Sequence, residues 1–220
     1  MCLSVQGWLV AGLFLLSVPT FSAEPVHNPA MLDKVVTAQQ GHTTVQGTLR
    51  WLTSQRDDDT SPVRVQQVRF FLAFPDRYAV VVTKPDDTES KQSFISDGTT
   101  RWEVAQLFDG EKPEVKKMPV GGDDDIERRL LACFRFDVAA LRKDFAIVAS
   151  SAMDQGAIVT LTPLAAKLKE ELSILVLTFN ADMKLLAIRS EDPQGNRFDF
   201  VVQEAVYNQP LADALFRVGP

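Results

Sequence analysis

The stretch Ser93–Val104, which reads SFISDGTTRWEV, predicts two β-strands joined by a tight turn. Asp97 and Gly98 supply the turn, because glycine accepts positive φ without a Cβ clash and aspartate readily bonds to its own backbone. Nothing in the stretch combines a nucleophile with a neighbouring base. We therefore interpret it as one hairpin of a larger sheet.

Period-two apolar patterns continue on both sides of this hairpin. The runs are separated by short turns rich in aspartate and proline, such as Pro85–Asp87 and Asp192–Asn196. Consecutive short strands with short connections predict an antiparallel sheet, not parallel strands with crossover helices. The predicted strands are 44–52, 63–74, 77–84, 91–96, 99–106, 145–150, 157–162, 173–180, 185–190 and 198–206.

Helical patterns precede the strands and interrupt them. Asn28 and Pro29 mark the start of a first helix, and Gly41 marks its end. The acidic triplet 123–125 begins a second helix, whose apolar residues up to Phe134 fall on one side. Further segments are a short helix at 137–141 and either an amphipathic helix or an ordered loop at 163–172. These patterns predict the α+β class: a large antiparallel sheet with a helical cover, either a curled sheet or an incomplete barrel.

The amino-terminal residues predict export. Residues 7–18 form an apolar run of signal-peptide length that Pro19 breaks, and cleavage can follow Ser22 or Ala23. Residues 1–7 contain no lysine or arginine, so an uncleaved membrane-anchoring segment is the alternative. We expect a signal peptide at 1–23 and a single domain at 24–220. Only Cys133 lies in that domain, so its stability must come from burial and not from an internal disulfide.

Charge and residue inventory disfavour several classes of function. The net charge is −6, and no cluster of five lysine or arginine residues occurs, so nucleic acid is not an expected partner. His27 and His42 have no metal-binding spacing, and no phosphate loop or nucleophile elbow is present. The acidic triplets 57–59 and 123–125 lack the ligand spacing of a calcium loop. We therefore expect neither an enzyme nor a cofactor or metal.

The strands divide their side chains between an apolar and a polar face. Phe70, Leu72 and Phe74 share one face of their strand, and Tyr78 and Val80 share one face of the next. Such a face either packs against the helices as a filled core or lines a cavity for a ligand. Patterning alone favours the filled core.

Several motifs, in this order and spacing, resemble the LolA-type outer-membrane lipoprotein carrier family. The family's consecutive motifs RP-x-x-F, QPDE and VSDG-x-x-x-W are similar to three stretches from Phe74 to Trp102 of this sequence. Matches extend over roughly residues 28–220. They are Leu32–Val35, Phe74–Tyr78, Lys84–Asp86, Phe94–Trp102, Leu161–Pro163, Asp192–Asn196, Asn208–Leu211 and Phe216–Pro220.

The resemblance implies a half-barrel, that is, a strongly curved, unclosed antiparallel sheet, with a helical lid over an apolar cavity for acyl chains. It implies a monomeric periplasmic carrier, without cofactor, that moves lipoproteins from the inner to the outer membrane. Its partners would be acylated lipoproteins as cargo, an ABC-type exporter of the inner membrane and an acceptor lipoprotein of the outer membrane. By transfer and parity, the expected cavity residues are Leu32, Phe70, Leu72, Phe74, Tyr78, Val80, Phe94, Trp102, Leu130, Leu131 and Phe134.

The sequence departs from the family at one functional position. The family has an arginine before the proline of RP-x-x-F, which holds the empty lid shut, whereas this chain has Phe74. Arg77 follows three positions later and lies on the opposite face by parity. Two alternatives therefore stay open: a carrier of another amphiphile, and a lipid-sensing regulatory module on the same half-barrel.

Overall fold

The structure is a computed structural model that describes residues 27–55, 63–106, 111–119, 126–151 and 156–218. The predicted signal peptide and both acidic triplets lie outside these residues. Within the described ranges, no helix has the length and apolar character needed to cross a membrane.

All strands of the described residues belong to one antiparallel sheet. Its order is β6-β5-β4-β3-β2-β1-β11-β10-β9-β8-β7, so β6 and β7 lie at opposite edges and the curved sheet stays unclosed. This arrangement confirms the predicted α+β half-barrel. The strands are β1 (Thr44–Ser54), β2 (Arg64–Ala73), β3 (Arg77–Lys84), β4 (Asp87–Asp97), β5 (Thr100–Gln106), β6 (Glu114–Pro119), β7 (Phe145–Ser151), β8 (Ala157–Pro163), β9 (Ile174–Phe179), β10 (Leu185–Glu191) and β11 (Arg197–Tyr207).

The helices begin where the sequence provides a cap. The helices are α1 (Pro29–Gln39), α2 (Ile126–Arg135), α3 (Val138–Asp144) and α4 (Ala166–Glu171). The Asn28 side chain accepts from the Met31 N–H at 3.3 Å, and that of Asp137 accepts from the Ala140 N–H at 3.1 Å. Helix α1 ends at Gln39 with Gln40 as its right-handed cap, so the expectation that Gly41 closes it is wrong by two residues. The segment 163–172, which the sequence left open, contains a helix.

The hairpin between β4 and β5 turns where the sequence predicts. Gly98 has φ +95°, and Asp97 Oδ1 accepts from the N–H groups of Thr99 at 2.8 Å and Thr100 at 2.7 Å. Partial burial alone would raise the pKa of Asp97, but these hydrogen bonds and the Thr99 hydroxyl outweigh it, and the pKa is lowered. The charged carboxylate therefore stabilises the turn.

One strand escaped the sequence prediction. Strand β6 reads EVKKMP, and the described side chains along it are exposed, apart from a half-buried Met118. It pairs with β5 alone and forms an edge of the sheet. An edge strand needs no apolar alternation and is often charged, which explains why the pattern did not predict it.

The pairing register separates two faces of the sheet. Phe70 lies opposite Val80, and Val80 lies opposite Phe94, so these residues share what we call the inner face. The side that carries Ala79 and Ile95 is the outer face. The inner face continues through the sheet as one buried apolar cluster that includes Leu49, Ala149, Leu161, Leu177, Ile188 and Phe200.

A bulge in β1 contributes to the curvature. The pairing of β1 with β11 shifts between Thr48 and Leu49, and such bulges bend a strand. At the neighbouring Gly47, a Cβ atom would overlap the Glu204 carbonyl oxygen, so only glycine permits this close approach of the two strands.

Candidate functional site

Most of the predicted cavity residues lie together on the inner face, in contact with the helices. Phe74 and Phe94 are partly buried and pack against the same cluster. The side chain of Leu130 lies outside the described residues. The fully or almost fully buried members are Leu32, Phe70, Leu72, Tyr78, Val80, Leu131 and Phe134. The structure therefore brings these positions together, and their role as cavity lining stays a prediction.

Helix α2 covers the inner face with buried apolar side chains. The ring of Phe134 lies 4.9 Å from the ring of Phe70 on β2. Just after the helix, the ring of Phe136 makes an edge contact with Phe179 on β9, at 5.8 Å between centroids. Aromatic pairs of this kind add to the free energy of apolar burial. The cover thus joins strands from both halves of the sheet.

Helix α1 covers the other part of the inner face and is tied to it by polar contacts. Its buried residues include Leu32, Val35 and Gln39. The Gln39 Nε2 group donates to the Met183 carbonyl at 2.5 Å, and Gln39 Oε1 lies 3.1 Å from His42 Nδ1. The His42 ring packs 4.3 Å from that of Tyr207.

These contacts perturb the two rings. Burial, together with the positive charge of Lys184, lowers the pKa of His42, and burial raises the pKa of Tyr207. Both shifts favour neutral rings at this end of α1.

The segment before α1 pairs with the edge of the sheet. The Asn28 N–H donates to the Ala149 carbonyl of β7 at 2.6 Å. The Ala149 N–H donates back to Nδ1 of His27 at 3.2 Å. These bonds fix the start of α1 and satisfy backbone groups at the edge of β7.

Trp102 does not join the other predicted cavity residues. It lies opposite Ile95 on β4, and Ile95 lies opposite Ala79 on β3, so Trp102 belongs to the outer face. Parity within β5 correctly separated Trp102 from Arg101. Parity cannot say which of the two sides faces inward, because that depends on the register across the turn at Gly98.

Arg101 is the inner-face residue that this reasoning missed. It lies opposite the fully buried Ser96 and is only 9% exposed. Its guanidinium carbon lies 5.6 Å from the centroid of the Phe94 ring. The register of β4 with β5 is the signal that could have identified it.

The outer face has a cover of its own. Phe216, in the 3₁₀ turn Asp213–Phe216, packs against Ala73 and Ala79. Arg77 lies over the Phe216 ring at 4.4 Å and donates to Asp213 at 2.9 Å. The predicted placement of Arg77 on the face opposite to Phe70 is thereby confirmed.

An open groove of about 970 Å³ runs along the solvent side of α1. Asp33, Lys34 and Thr37 line it together with Ser151 and Ala181, and the groove contains none of the predicted cavity residues. Within the described ranges, no group of three or more His, Cys, Asp or Glu side chains could hold a metal ion. The inner face therefore offers apolar binding surface with few polar groups.

The fold and this face define a helix-covered, unclosed antiparallel sheet with an apolar inner surface. The family model described as outer membrane lipoprotein carrier protein LolA matches residues 69–219. The chain belongs to this family, as its motifs indicated. No curated protein matches the sequence significantly.

Two solved structures illustrate how far the chain has diverged from similar proteins. A LolA superfamily protein, NE2245 from Nitrosomonas europaea, is 10% identical with a TM-score of 0.42, over 88% of this chain and 98% of that chain. The lipoprotein LppX from Mycobacterium tuberculosis is 15% identical with a TM-score of 0.42, over 83% of this chain and 96% of that chain.

Proposed function

We propose that the protein is a periplasmic carrier that binds the acyl chains of lipoproteins on its inner face and moves them from the inner to the outer membrane. Its family membership supports this function. The observation that carries the proposal is the continuous apolar inner face, which is buried beneath helices and joins strands from β4 to β7.

The physical need for such a carrier follows from the cost of hydrating acyl chains. Each buried methylene is worth about 0.8 kcal/mol, so three long chains resist transfer into water by tens of kcal/mol. A carrier must offer an equivalent apolar surface and cover it when empty, because a large exposed apolar patch favours aggregation. Apolar attraction is non-directional, so acyl chains can replace the helix side chains on the inner face.

Helix α2 is the part of the cover that we propose to move. Over residues 131–135 it meets the sheet through buried apolar side chains such as Phe134, whereas α1 is tied by hydrogen bonds at both ends. Removal of α2 would expose Phe70, Tyr78 and Val80 to the cargo. The proposed lining comprises Leu32, Phe70, Leu72, Phe74, Tyr78, Val80, Phe94, Leu130, Leu131 and Phe134.

The proposal includes the compartment and the partners. We infer that residues 1–23 direct export and are removed, leaving a monomeric domain at 24–220. The exporter that delivers the cargo would be an ATP-driven complex of the inner membrane, and the acceptor a lipoprotein of the outer membrane. The function requires no covalent chemistry.

Native mass spectrometry of the exported protein tests the proposal. We expect bound lipid in the purified protein, or a one-to-one complex when a triacylated peptide is added. A folded protein that binds neither would contradict the carrier function.

A matched pair of variants tests the location of the site. Phe94 and Trp102 are half-buried aromatic residues on neighbouring strands, but they face opposite sides of the sheet. We expect Phe94→Gln to reduce peptide binding and Trp102→Gln to leave it unchanged. Equal loss in both variants would argue against the inner face as the site.

A further inference from the structure

Arg101 stands at the end of a buried row that crosses the inner face. Leu72 lies opposite Tyr78, Tyr78 opposite Ser96, and Ser96 opposite Arg101. The first three side chains are at most 2% exposed, and Arg101 is 9% exposed. Among the buried residues of the described ranges, it is the only one with a charged side chain.

The position of Arg101 along its strand places it near the rim of the sheet. It is the second residue of β5, immediately after the turn at Asp97 and Gly98. Val80 and Phe94 lie further from this rim on the same face, and the Phe94 ring lies beneath the guanidinium group. An amphiphile with its chains on Val80 and Phe94 would therefore place its polar end beside Arg101.

The chemistry of guanidinium selects the polar end. Arginine keeps its charge at any physiological pH, and its planar fork forms paired hydrogen bonds with phosphate or carboxylate. Low local dielectric strengthens such a bond, and burial of a charge is costly without compensation. The contact with the Phe94 ring supplies part of that compensation in this structure.

We propose that Arg101 forms a subsite for an anionic group of the cargo, so that the ligand class is an acylated molecule with a phosphate next to its chains. This inference rests on the proposed function, because the acyl chains occupy the inner face in both. The apolar residues hold the chains, and Arg101 selects cargo by head group.

The test compares two lipids with identical chains, dioleoyl phosphatidylglycerol and dioleoylglycerol, by native mass spectrometry of the full exported protein. We expect the phosphatidylglycerol to bind at least about tenfold more tightly, as a hydrogen bond to a charged group allows. Arg101→Gln should abolish this preference and retain binding of dioleoylglycerol. Arg101→Lys should retain part of it, because the charge remains but the fork is lost.

Arg69→Gln is the control, since Arg69 is exposed on β2 and lies on the outer face opposite Val81. This variant should keep the full preference. Thermal unfolding of each variant establishes that it is folded, and Arg101→Lys replaces Arg101→Gln if the latter is not. Inorganic phosphate at millimolar concentration should not displace the phosphatidylglycerol, because the chains supply most of the affinity.

The outcomes separate the two proposals. Equal affinity of the unaltered protein for both lipids, or an unchanged preference in Arg101→Gln, would overturn the subsite and leave the carrier function intact. Displacement by inorganic phosphate would also overturn it, by indicating a site for free phosphate. Failure to bind either lipid would contradict both proposals.

Discussion

The inner and outer faces of strands β2 to β4 both bury a phenylalanine, but their covers are held in different ways. On the inner face, Phe70 lies beneath Phe134 of α2, with ring centroids 4.9 Å apart. On the outer face, Phe216 is fixed by the Arg77 guanidinium above its ring, and Arg77 also binds Asp213.

The difference shows why apolar burial alone does not define a binding site. The outer cover depends on directional contacts that an acyl chain cannot reproduce. The ring contact of Phe134 is largely a matter of buried apolar surface, which another apolar group can supply. The inner face is therefore the better candidate for exchange between a helix and a ligand.

The largest effects that we expect come from truncating the two phenylalanines. Phe70 and Phe216 are almost completely buried, so Phe70→Ala and Phe216→Ala should each lower the free energy of unfolding by about 3–5 kcal/mol. Urea denaturation measures this loss. The two variants should differ in local dynamics, because only Phe70 contacts α2.

Hydrogen exchange distinguishes the faces. Phe70→Ala should accelerate exchange in residues 131–135 beyond what its global destabilisation explains, and Phe216→Ala should not. If both variants accelerate exchange in α2 equally, the two covers are not independent and the comparison fails.

A smaller effect is expected from the ion pair of the outer cover. Arg77→Ala removes both the contact with Phe216 and the bond to Asp213, and should destabilise the protein by about 1–2 kcal/mol. Asp213→Asn removes only the charge of an exposed carboxylate and should cost less than about 1 kcal/mol. Chemical denaturation of both variants measures the difference. Equal losses would mean that the ring contact contributes nothing.

Much of the sheet was predictable, because period-two patterns and turn residues act locally. Strand β3 has the predicted bounds, Arg77–Lys84, and the turn at Gly98 follows from a residue that tolerates positive φ. Strand β6 could not be predicted in this way, since an exposed edge strand has no apolar face to reveal it.

The candidate site was less predictable, because its sidedness depends on long-range pairing. Alternation placed Phe70 and Val80 correctly relative to their own strands, and the register then brought them together. The same alternation left open which side of β5 faces inward, so Trp102 was expected on the inner face and Arg101 was overlooked. Motif matching added to this error, since it carried Trp102 over as part of a conserved-looking pattern without its register.

The smallest effect that we expect is a pH dependence at the other end of the inner cover. Burial and the charge of Lys184 lower the pKa of His42 below its ordinary value of 6.5. The unfolded chain then binds a proton at higher pH than the folded chain does, so this contribution to stability is complete above pH 6.5 and is lost as the pH falls through the lowered pKa. Urea denaturation at about pH 7.5 and about pH 5 should show this loss.

His42→Phe provides the comparison, because phenylalanine keeps the ring contact with Tyr207 but does not titrate. The variant should lose less stability than the unaltered protein between the two pH values, although it is less stable at both without the contact to Gln39. Lys184→Gln should raise the pKa of His42, which NMR titration measures directly. Identical pH dependence in all three proteins would mean that neither the burial of His42 nor its charge neighbour contributes to holding α1 on the inner face.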